Sequence, residues 1–96
     1  MFIVMNRIPV AEGREQEFEE TFKGRDRAVD LMPGFIDMQV LRPAEGRTYV
    51  VMTRWKTRED FEKWTQSEVF VKAHRKQTPG LVESRPALEI YEVFTQ

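Results

Sequence analysis

The chain contains no cysteine and one histidine among its 96 residues. Without cysteine there is no disulfide and no thiolate metal site, which fits a reducing compartment. No apolar run approaches the roughly 20 residues that a membrane-spanning helix needs. The opening MFIVMNRIPV is too short for a secretory leader and has no basic stretch before it. Charge of one sign is also lacking: 15 Lys and Arg stand against 16 Asp and Glu. That balance, with no aromatic run of the RNA-recognition type, argues against a nucleic-acid partner. Glycine and proline number 5 each, and there is no internal repeat, linker or low-complexity tract. The expectation is a soluble cytoplasmic protein with one domain, residues 1–96. A chain of this length buries only about 60–65% of its unfolded surface, so its own core is modest.

What remains are alternating apolar stretches separated by turn residues. Residues 2–10 read as a strand, with Phe2, Val4, Asn6 and Ile8 on one face. Asn6 is a polar residue amid that apolar face, and asparagine is disfavoured in strands. A turn or edge position bonded to backbone is its ordinary explanation. Residues 12–31 carry a helical stripe of Phe18, Phe22, Arg25 and Val29, which predicts one helix, weakened at Gly24 by about 1 kcal/mol relative to alanine. Arg25 is either a solvated edge residue or a guanidinium at the rim of a pocket, meeting a carboxylate. Met32-Pro33-Gly34 ends the helix. Strands are expected over 35–42 and 48–56, joined by a hairpin loop at 43–47. Residues 76–86 read as a loop long enough to be a flap over a site, and 87–94 as the last strand.

Between them lies FEKWTQSEVFVKAHR, residues 61–75, with one of the two tryptophans and the only histidine. Thr57 is a good helix N-cap, with Asp60 three residues on. Phe61 and Trp64 then share a face. Ser67 can cap a second short helix, in which Phe70 and His74 share a face. Two helices broken at 65–67 would present an indole and an imidazole to one cavity. A flat apolar ligand with a central metal suits that pair, the imidazole on the metal and the indole on the ring.

The element order, strand, helix, strand, strand, helix pair, strand, is the α+β ferredoxin-like βαββαβ pattern, an antiparallel sheet with helices on one face. Yet the third and last strands are bulky and apolar on both parities: Tyr49, Val51 and Trp55 against Val50 and Met52, and Leu88, Ile90 and Phe94 against Tyr91 and Val93. One face of a monomer would be left wet, so a two-fold homodimer with its sheets face to face is expected.

With Asn6, MPGFIDMQVLRP, YVVMTRWKTREDFEKW and KWTQSEVFVKAH in place, the chain resembles the IsdG-type haem-degrading monooxygenases of the antibiotic-biosynthesis monooxygenase superfamily. The resemblance runs over nearly the whole chain and implies a dimeric α/β barrel. It implies a catalytic set of Asn6, Trp64 and His74, with His74 as the ligand to iron. Trp64 would press the macrocycle out of plane, and Asn6 would donate a hydrogen bond from the opposite side. Phe22 and Arg25 would join Trp64 and His74 in holding haem, with Val4, Val51 and Thr53 as further lining. Arg25, Arg75 or Lys76 would meet the propionates. Haem would be substrate and cofactor together. Turnover would need O2 and an external reductant, and with no flavin or nicotinamide motif in the chain, a separate reductase is implied. Opening the ring would release iron. Two rivals stay open: a cofactor-independent monooxygenase acting on an aromatic or quinol substrate, which has no need of His74, and a dimer that holds haem without turnover.

Overall fold

The computed structural model describes residues 1–75 and 78–96. Eight elements follow one another: β1 (Phe2–Pro9), α1 (Glu15–Lys23), a short 3₁₀ turn (Ala28–Leu31), β2 (Phe35–Leu41), β3 (Thr48–Trp55), α2 (Arg58–Thr65), α3 (Glu68–Arg75) and β4 (Ala87–Glu92). The strands form one antiparallel sheet in the order β2-β3-β1-β4. This is the ferredoxin-like α+β arrangement expected from the order of patterns.

Directly paired residues share a face, and the register therefore sorts the side chains. Phe2, Val4, Asn6 and Ile8 lie opposite Trp55, Thr53, Val51 and Tyr49. Leu88, Ile90 and Glu92 of β4 extend the same face beyond β1. The buried residues form two clusters on it. One contains Phe2, Val4, Val29, Trp55, Phe61 and Trp64. The other contains Ile8, Val10, Phe18, Tyr49 and Leu81. Trp55 is the anchor of the first. Its indole is wholly buried and lies 5.4–6.0 Å from the rings of Phe35, Phe61 and Trp64. Its Nε1–H donates to Thr53 Oγ1 at 3.0 Å, which satisfies a donor that burial would otherwise strand. Thr53, expected to line a pocket, is instead a buried partner of Trp55.

The single helix expected over 12–31 is two elements. α1 stops at Lys23, where the Gly24 N–H donates to the Glu20 carbonyl and the Arg25 N–H to that of Phe22. Asp26 then accepts from the N–H of Ala28 at 3.0 Å and starts the 3₁₀ turn. A side chain that bonds backbone two residues on competes with helix continuation, and here it prevails. The stripe was read correctly for burial, since Phe18 and Val29 are both buried, but they belong to different clusters. The loop expected as a free flap is tied down where it is described. Val82 bridges Val10, Ala11 N–H donates to Leu81 O at 2.9 Å, and Glu83 N–H donates to Pro9 O at 2.7 Å. The start of that loop, residues 76 and 77, lies outside the described residues.

Polar links tie α1 to the sheet. Arg42 and the Tyr49 hydroxyl both donate to the carboxylate of Glu19. The hydrogen bond from Arg42, then that from Tyr49, holds the Glu19 carboxyl well below its ordinary 4.5, at about 2. A depressed carboxylate contributes stability above its unfolded pKa and loses that contribution as pH falls toward the folded value. Between pH 4.5 and 2 the melting temperature should therefore fall, and Glu19→Gln should flatten that fall while lowering stability at pH 7. Thermal unfolding of both proteins followed by circular dichroism across that window checks it.

Candidate functional site

α2 begins where the sequence places its cap. Thr57 has extended backbone angles, and its hydroxyl oxygen accepts from the Asp60 N–H at 3.1 Å. Phe61 and Trp64 follow on the face turned to the core, where Trp64 lies 5.5 Å from Trp55. The Trp64 Nε1 is buried and, among the described residues, has no hydrogen-bond partner. An unpaired buried donor costs about 1–3 kcal/mol, so the indole is held with its polar edge unsatisfied.

Ser67 joins the two helices. Its N–H and its hydroxyl both donate to the Trp64 carbonyl, at 2.9 and 2.6 Å. The same hydroxyl oxygen accepts from the Phe70 N–H at 3.2 Å. One side chain therefore closes α2 and starts α3, fixing the angle between them. α3 carries His74 near its C-terminal end, exposed to solvent on one side. On the other side the imidazole stacks on Phe70, with ring centroids 4.0 Å apart, and lies 6.1 Å from the Trp64 ring. His74 Nδ1 is 2.8 Å from the Phe70 carbonyl oxygen. Only a protonated Nδ1 can bond to a carbonyl, so the neutral ring carries its proton there and leaves the Nε2 lone pair bare. This is how proteins prepare a histidine for a metal.

Asn6 is half-buried at the middle of β1, between Val4 of one cluster and Ile8 of the other. Its cross-strand neighbours are Val51 and Leu88. Beside it, Leu88 and Ile90 on β4 are 59% and 41% exposed although they share the helix-facing side of the sheet. An uncovered apolar strip therefore runs along β4 next to Asn6.

The structure brings Trp64 and His74 together and sets Asn6 on the same side of the sheet as the helix pair. It gives Phe22 and Arg25 other surroundings. Phe22 packs on Phe18 at 5.0 Å and lines a cleft of about 370 Å³ with Glu19, Lys23, Val40, Arg42 and Tyr49. Arg25 donates both terminal nitrogens to Asp30 Oδ1 at 3.2 Å, and Arg27 takes the other oxygen at 3.3 Å. The guanidinium does meet a carboxylate, as one reading of the sequence had it, but one from its own chain. Lys76 lies outside the described residues. A second cleft, of about 360 Å³, opens among Met1, Phe2, Lys56, Thr57, Arg58, Glu59, Glu92 and Val93. Neither cleft is lined by Asn6, Trp64 or His74. Sequence reasoning missed the coupling role of Ser67, although its cap position was legible, because a hydroxyl that also donates backwards leaves no separate mark in the sequence.

An antiparallel sheet in this order, with a helix pair presenting indole and imidazole, belongs to a defined class. Residues 1–76 match the family model described as antibiotic biosynthesis monooxygenase, and the chain belongs to that family. The chain is 33% identical over 91 residues to a staphylobilin-producing heme oxygenase of Staphylococcus haemolyticus, covering 92% of this chain and 86% of that one. It is 34% identical over 92 residues to a mycobilin-producing heme oxygenase of Mycobacterium tuberculosis, covering 95% and 87%. In three dimensions it is similar to the heme-degrader MhuD of M. tuberculosis solved with two hemes bound in its active site, with a TM-score of 0.86, 29% identity and coverage of 100% and 98%.

The hydrogen bonds of Ser67 make a direct prediction. Ser67→Ala should lower stability by about 1 kcal/mol, as loss of a helix cap does, and should broaden the NMR signals of the Trp64 and His74 rings more than those of Trp55. Urea unfolding and ring-proton spectra test the two parts.

Proposed function

We propose that this chain, as one domain over residues 1–96, is a haem-degrading monooxygenase that opens the porphyrin ring with O2 and electrons from an external donor and releases iron. The observation that carries the reading is the prepared histidine: His74 with Nδ1 held by the Phe70 carbonyl, and Trp64 beside it with its donor unpaired among the described residues. The relatives named for haem breakdown, matched over nearly the full length of the chain, support the same activity.

Haem is the substrate, and its iron supplies the redox chemistry. His74 Nε2 would hold that iron, and the Phe70 bond would raise its basicity as a ligand. Trp64, backed by Trp55, would offer the ring a rigid indole to press on, and distortion of the macrocycle is one of a protein's few levers on haem. Asn6 offers a neutral N–H donor from the sheet side, and Leu88 and Ile90 cover apolar ring surface. Because an amide does not ionise, it orients by hydrogen bonding without delivering a proton. Arg25 would reach a propionate only by giving up Asp30, and Phe22, in its separate cleft with Glu19 and Tyr49, would touch the ring only after moving toward the helix pair. A reductase is the partner this scheme requires, and the cytoplasm the compartment. Among the described residues no helix is long and apolar enough to cross a membrane.

A homodimer belongs to the same reading. The sheet face away from the helices carries Ile3, Met5, Val50 and Met52, flanked by the ion pairs Arg7–Glu89 and Arg54–Asp37. An apolar centre with a charged rim fits a second sheet laid against it. Sedimentation should give a dimer, and Met5→Glu at the centre of that face should give a monomer.

The activity is tested by adding hemin to the purified protein, where a shifted Soret band is expected. His74→Ala should abolish the shift. Ascorbate or a reductase under air should then bleach the band and give an opened tetrapyrrole by mass spectrometry. Asn6→Ala should keep the shifted band and slow the bleaching about 100-fold, the usual effect of losing one preorganised donor. Identical spectra with and without His74, or a band stable for hours under reductant, would overturn the proposal.

A further inference from the structure

The turn before β2 touches α2 in a way that no site residue requires. Gly34 has φ +81°, the left-handed region that favours glycine, and its carbonyl accepts from the Lys56 N–H at 2.8 Å. Conformation alone would suit asparagine there almost as well. Space would not. A Cβ on Gly34 would come within 2.6 Å of Asp60 Cβ and nearer still to the carboxylate. The Asp60 side chain lies directly on the bare backbone of Gly34.

Asp60 is in the first turn of α2, and Trp64 stands one helical turn further along the same side. A helix of 8 residues is too short to absorb a push at one end by bending. Its other contacts hold it at both ends and along its core face. Thr57 fixes the cap, Trp55 backs the indole, and Ser67 binds the Trp64 carbonyl. The stop against which α2 is seated is the contact of Asp60 with Gly34.

We propose that Gly34 and Asp60 form a positioning pair that sets how far the Trp64 indole reaches into the site, and through it the depth of contact with the bound ring. The pair acts by shape and not by charge. This rests on the haem reading for its chemical consequence, but the geometric part stands without it.

Three substitutions separate the elements. Asp60→Asn keeps the shape and removes the charge. Asp60→Ala removes the stop and lets α2 advance toward the turn. Asp60→Glu adds a methylene and pushes α2 away. Acrylamide quenching of Trp64 fluorescence, obtained by subtracting a Trp64→Phe control that reports Trp55 alone, should be unchanged by Asp60→Asn. It should shift in opposite directions for Asp60→Ala and Asp60→Glu. With hemin bound, the Soret position and the ratio of ring-opened isomers should follow the same order. A misplacement of about 1 Å can cost on the order of 100-fold in rate, so a shift of a few tenths should slow ring opening about tenfold. Circular dichroism establishes that each variant is folded. Equal quenching in all three variants would overturn the proposal. A change with Asp60→Asn as large as that with Asp60→Ala would overturn it as well, by making the contact electrostatic. If the parent protein shows no Soret shift, the haem reading fails, while the quenching result still decides the geometric part.

Discussion

The Trp55 indole is the surface on which the rest of the site is assembled. It sits at the end of β3, wholly buried, with its N–H bonded to Thr53. Phe35 meets it from the start of β2, and Phe61 and Trp64 from α2. Pairs of aromatic rings at such spacings contribute about 0.5–1.5 kcal/mol beyond the area they bury. Three of them on one indole fix α2 against the sheet. The orientation of Trp64 is therefore inherited from Trp55, and the orientation of His74 from Trp64 through Ser67. A local chain of contacts carries position from the centre of the sheet to the exposed imidazole.

Much of this was legible in the sequence. Strands alternate with period two, and every strand was found within two residues of its observed ends. Thr57 and Ser67 are polar residues three positions before an amide that needs a partner, and both cap as expected. The helix pair was readable because capping is local chemistry. The segment 12–31 was misread for the opposite reason. A stripe of apolar residues continues across Gly24, but Asp26 binds the backbone and restarts the chain in a tighter turn. Periodicity records which residues are buried, and it is silent on whether one helix or two buries them.

The site itself was only partly readable. That Trp64 and His74 face one another follows from helical spacing and one break. What the ring nitrogens do does not follow, since it depends on the Phe70 carbonyl lying 2.8 Å from Nδ1. Thr53 was expected to face a pocket because its parity in β3 is right, and it does share that face. Its hydroxyl is nevertheless taken by the neighbouring indole two residues away, a bond that alternation alone does not reveal. Arg25 likewise sits where a pocket rim was expected but already holds Asp30, and an intrachain ion pair five residues apart is one of several the sequence allows.

The helices do not reach across the whole sheet. β4 is its edge, and Leu88 and Ile90 lie bare on the side the helices occupy. Next to Asn6 the sheet therefore ends in bare apolar side chains and not in a packed layer. The same uncovered strip is apolar surface left in water, so whatever comes to lie along it gains by removing Leu88 and Ile90 from solvent.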